Sequence, residues 1–158
     1  PFHGLGTFVT SAGLAGIALW LMKNDLVGIS ITKTGLTRYV GVALLSGYAW
    51  LLFTAVFQIA FTNSMFSYDI VVHSFFIGFV LSMIFAHGPI ILPGLLGILR
   101  KPYSPLLYIA LVLLHSSLIL RVLGDILLIN DFRTWSGVLT ALAMLSYFGI
   151  LATITLKK

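Results

Sequence analysis

The chain has 158 residues, of which 59% are hydrophobic and only 8% charged, with a formal net charge of +5 and a mean hydropathy of +1.11. Soluble domains carry about 25% charged residues, so this chain lacks the polar groups to cover a water-facing surface and reads as an integral membrane protein. The basic excess needs no nucleic-acid partner, because Lys and Arg mark cytoplasmic loops and meet the anionic lipid of the bilayer there.

The opening "PFHGLG" lacks the positively charged start of a secretory signal. Its leading Pro fits either removal of an initiator Met or a fragment. A helix crosses the hydrocarbon core with about 20 apolar residues, and the first such run covers residues 4–22. A long loop follows with Lys23, Lys33 and Arg38. Its "LVGISITKTG" alternates Val and Ile with small polar residues, which suits a short hairpin or an interfacial segment. The second span is residues 39–61, followed by a loop without basic residues, and the third is 69–99. Arg100 and Lys101 come next, then a fourth span at 105–129. A turn holding Arg133 leads into the fifth, 135–156, and Lys157 and Lys158 end the chain. The expected fold is all-α: one domain, residues 1–158, built as a bundle of five transmembrane helices. The basic loops alternate as they would with the N-terminus outside and the C-terminus cytoplasmic. Tyr39, Tyr68, Tyr103 and Trp135 fall at the predicted interfaces, as amphipathic rings do.

Helices in lipid associate through small residues that let backbones approach. Ser74, Gly78, Ser82 and Ala86 form such a row on the third span, and bundle packing is reason enough for it. Further along this span, Pro89 cannot donate to the carbonyl of Phe85, nor Pro93 to that of Pro89. Freed carbonyls survive in a bilayer only where neighbours or water satisfy them.

Ionisable residues inside spans are costly and are candidate functional residues by default. At ~1.5 Å per residue, His73 lies ~6 Å and His87 ~27 Å from the start of the third span. On the antiparallel fourth span, Asp125 lies ~7.5 Å, Arg121 ~13.5 Å and His115 ~22.5 Å from the same side. His87 and His115 therefore come out level, as metal or cofactor-binding candidates. His73, a further candidate, comes out level with the polar cluster of Asp69, Arg121 and Asp125. Neutral imidazole is a good ligand for iron and copper. One bis-histidine haem b between His87 and His115, or a copper or haem centre shared with another subunit, both stay open. So does the plainer reading, in which each ring only hydrogen-bonds a neighbour and no cofactor is bound. Arg121 and Asp125, spaced i and i+4, can pair on their own helix, and His73 can pair with Asp69 or Asp125. With no Glu, no Cys and no nucleophile or phosphate-loop motif, a hydrolase or transferase is disfavoured. No catalytic residue is assigned, and whether the chain is an enzyme stays open.

The segment "HSFFIGFVLSMIFAHG", followed after a basic loop by "LILRVLGD", resembles the NnrS family over about residues 69–125. The matching positions are His73, Gly78, Met83, His87 and Arg121 to Leu123. The resemblance implies a polytopic bacterial inner-membrane protein of haem and copper content, tied to nitric oxide metabolism and denitrification. Members have more spans than the five read here, and their sequence after the third span is replaced by "AHGPIILPG". Two functions follow as expectations. One is a respiratory or electron-transfer membrane subunit binding haem or copper through its histidines. The other is a non-catalytic accessory subunit that packs against a larger complex or a second copy. A small transporter working through Asp69, His73, Arg121 and Asp125 is a third, though five spans without an inverted repeat suit it less.

Overall fold

The computed structural model describes residues 3–98 and 102–156. Within them every regular element is helical: α1 His3–Asn24, α2 Val27–Ser30, α3 Gly35–Ala60, α4 Ser67–Leu95, α5 Leu107–Leu127 and α6 Asn130–Leu156. All but α2 are long and apolar enough to cross a membrane. The expected third-span end at Leu99, the cations Arg100 and Lys101, and the terminal Lys157 and Lys158 lie outside the described residues.

The first loop does not form a hairpin. It folds α2, a single helical turn, back onto α3. Asp25 fixes the entry to this turn, accepting the Leu26 amide with one oxygen and the Tyr48 hydroxyl with the other. Unpaired backbone groups at a membrane surface need local partners, and a helical turn supplies them within the segment, as when Ile31 donates to the Val27 carbonyl.

Helix α1 packs on α3, α3 packs along α4, and α5 packs along α6. The main core gathers Tyr39, Ala43, Phe85, Leu107, Leu114 and Tyr147. The small-residue row of α4 is buried throughout, at Ser74, Gly78, Ser82 and Ala86. Its reason is visible at Gly78, where an added Cβ would fall on the Trp50 ring and on Leu118. The row runs through a stretch that the sequence did not announce. Residues Ser74–Val80 take the wider π-helical path, a form rare in proteins and frequent at functional sites.

Pro89 and Pro93 both stay inside α4, which runs on to Leu95. The carbonyl that Pro89 leaves without an amide finds a donor across the bundle. The Tyr147 hydroxyl of α6 lies 3.1 Å from the Phe85 oxygen and 3.2 Å from that of Ile84. The Tyr147 ring stacks on Phe85, with centroids 3.9 Å apart and planes 6° from parallel.

Candidate functional site

The end of the bundle where α5 turns into α6 and α4 begins holds a cluster of charged side chains. Arg121 on α5 donates from Nε and Nη2 to the two carboxylate oxygens of Asp69 on α4, each at 2.8 Å. This planar fork is the geometry in which guanidinium and carboxylate bind most strongly. Nη1 reaches the Arg133 carbonyl on α6 at 3.3 Å. Arg121 thus ties three helices together. Its contact with Asp125 on its own helix is longer, 3.8 Å, so the expected i, i+4 pair is secondary to the bond across helices.

Asp125 has a fully buried side chain. Its nearest cation is Arg133, with Nε 2.9 Å from Oδ1, yet neither Asp125 oxygen receives a well-aligned hydrogen bond. Arg133 lies with its guanidinium carbon 4.1 Å from the Phe66 ring centroid, and the attraction of a cation to the ring face helps keep that side chain at the bundle end. In the sequence Arg133 reads as a loop cation. Its only signal was its position, one turn into a helix that starts at Asn130.

His73 completes the cluster. Its Nδ1 lies 2.9 Å from the Asp69 carbonyl and 3.2 Å from Asp69 Oδ1. A carbonyl only accepts, so Nδ1 carries the hydrogen and Nε2 is the uncommitted nitrogen. His73 and Arg121 border a cavity of about 140 Å³, closed on the α6 side by Ser136, Gly137 and Thr140. The Thr140 hydroxyl lies 2.9 Å from that of Ser117, and this polar row continues below Arg121 on α5. A wider polar depression bordered by Arg121, Asn130, Arg133 and Thr134 opens on the surface beyond.

The other two histidines are not brought together. The ring of His115 is held between α3 and α5. Trp50 donates its indole hydrogen to Nδ1 at 3.0 Å, and Nε2 lies 2.9 Å from the Ser46 hydroxyl. An indole only donates, so Nδ1 is bare and Nε2 donates to Ser46, which passes its own hydrogen to the Ala43 carbonyl. Both nitrogens of His115 are spent. His87 is exposed on α4, with Nδ1 2.8 Å from the Met83 carbonyl. A bis-histidine haem or copper centre needs a lone pair from each ring, and the residues as arranged do not fit one. Among the described residues no group of three His, Cys, Asp or Glu is placed to hold a metal ion.

Replacing Trp50 with phenylalanine should leave His115 Nδ1 without its donor and cost about 1–3 kcal/mol. Thermal unfolding measures the loss, and ¹⁵N-imidazole spectra should show the Nδ1 resonance of His115 moving. An unmoved resonance would mean that the indole is not its partner.

Residues 2–156 match the family described as a domain of unknown function, DUF8744. Neither the curated proteins nor the solved structures gave a match to the chain.

Proposed function

The chain belongs to the DUF8744 family, and we propose that it is an integral membrane protein that takes up and releases a proton at the cluster of Asp69, His73, Arg121, Asp125 and Arg133. The reading rests on the charge balance of that cluster beside its cavity. Counted as fully ionised, two guanidiniums and two carboxylates cancel, and His73 is the group left over. A balanced cluster is tolerable inside a bundle, where an unpaired charge is not. One proton added at His73 Nε2 gives the cluster a positive charge, with the Asp69 carboxylate 3.2 Å from the ring to receive it. Arg121 borders both the cavity beside His73 and the polar depression at the surface.

Proton uptake by the purified protein, counted across stepwise pH changes with infrared difference spectra, tests the reading. Wild type should take up one proton with an imidazole signature that His73→Gln removes. Equal uptake in wild type and His73→Gln would reduce the cluster to a staple between helices.

A further inference from the structure

A second site lies on the opposite half of α4, against α6. The two helices enclose a groove of about 470 Å³. Its walls are apolar, formed by Val80, Ile84, Ile91 and Leu92 of α4 with Phe148 and Leu151 of α6. Its polar side chains are those of His87 and Tyr147. Tyr147 also borders the groove, but its hydroxyl hydrogen goes to the Ile84 and Phe85 carbonyls.

His87 has a defined tautomer. Nδ1 faces the Met83 carbonyl at 2.8 Å, and a carbonyl only accepts. The hydrogen is therefore on Nδ1, and Nε2 presents a bare lone pair. Among the described residues no donor reaches it. The setting makes this costly. Helix α4 spans 29 residues, ~43 Å at 1.5 Å per residue, and His87 sits eight residues, ~12 Å, from its C-terminal end. A hydrocarbon core is about 30 Å thick, so a helix centred in it carries this ring below the headgroups. An acceptor at that depth without a donor forfeits a hydrogen bond that water would have supplied.

We propose that this groove binds a lipid-soluble ring compound bearing a hydroxyl donor, of the quinol class, with its O–H directed to His87 Nε2. The chemistry selects the class. Nε2 accepts and does not donate, so it favours a hydroxyl over a ketone. The apolar walls favour a ligand that partitions from the bilayer. The exposed Phe148 ring, 5.3 Å from Tyr147 and near-perpendicular to it, offers an aromatic edge for a flat ring. An ordinary acyl chain would fill the volume but leave Nε2 unsatisfied.

The test uses the full chain in nanodiscs of zwitterionic phospholipid, titrated with a short-chain benzoquinol, its quinone and its dimethyl ether. Binding is followed by the ¹⁵N-imidazole signal of His87. The quinol should bind saturably, shift Nε2, and bind about tenfold tighter than the ether, the margin of one hydrogen bond. His87→Phe should remove that margin. Ile91→Trp, which fills the groove and leaves His87 intact, should abolish binding, with thermal unfolding confirming that both variants fold. Equal affinity for quinol and ether, with or without His87, would mean that the groove takes acyl chains only and would overturn the proposal. A Soret band or bound copper that disappears in His87→Phe would overturn it too, by giving Nε2 to a metal.

Discussion

Arg121→Leu is expected to destabilise the bundle by about 3 kcal/mol, the low end of the loss on removing one partner of a buried ion pair, because the pair with Asp69 is part-buried. The side chain does more than oppose one charge. It grips both oxygens of Asp69, reaches the Arg133 carbonyl and stands 3.8 Å from Asp125. Without it Asp69 loses the guanidinium that forks onto both its oxygens, and the buried Asp125 keeps Arg133 alone. Arg121→Lys should recover only part of the loss, since an ammonium is a point charge and cannot fork onto two oxygens. A second change separates the causes. Asp69→Asn removes the charge that Arg121→Leu strands, so the double variant should be more stable than Arg121→Leu alone. Unfolding in mixed detergent micelles measures all four members of this cycle. A loss below about 1 kcal/mol for Arg121→Leu would place the pair among solvent-screened surface contacts.

The spans were legible because a bilayer imposes length and composition together. The expected runs at 4–22 and 105–129 differ from the observed helices by about two residues at each end, within the usual boundary error. The fifth begins at Asn130 rather than 135, because a turn of helix can extend past the hydrocarbon at no hydropathy signal. The membership of the charged cluster was legible too, except for Arg133. Depth along antiparallel helices put Asp69, His73, Arg121 and Asp125 at one end, and there they meet. Their pairing was not. Spacing on one helix suggested Arg121 with Asp125, whereas the stronger contact goes to Asp69, 52 positions away. Which neighbour faces which depends on helix rotation, and the π-helical stretch Ser74–Val80 alters that rotation without a sequence mark. The same limit governs the histidines. Depth made His87 and His115 level, yet rotation gives one to Trp50 and Ser46 and turns the other outward. The prolines announced that the Phe85 carbonyl would need a donor. They did not announce Tyr147, 62 positions on.

That last pairing makes Gly88 a sharp test of how α4 survives its prolines. On a free helix surface Gly→Ala stabilises by about 1 kcal/mol. Gly88→Ala is expected to do the reverse, with a net loss of about 2–3 kcal/mol. A Cβ at this position falls on the Tyr147 hydroxyl, with Leu151 close behind. The backbone cannot yield without opening α4, so the tyrosine must move. Its departure strips the donor from the Phe85 carbonyl, worth about 1–3 kcal/mol for a buried acceptor, and weakens a ring stack worth about 0.5–1.5 kcal/mol. Tyr147→Phe isolates the first of these, since it keeps the ring and deletes the donor, and should cost about 1–3 kcal/mol on its own. The combined variant decides between mechanisms. Once the hydroxyl is gone, much of the obstacle to a Cβ at residue 88 is gone too, so Gly88→Ala should cost far less in the Tyr147→Phe background than in wild type. Additive losses would mean that the glycine and the tyrosine act separately, and that the carbonyl freed by Pro89 is satisfied from elsewhere.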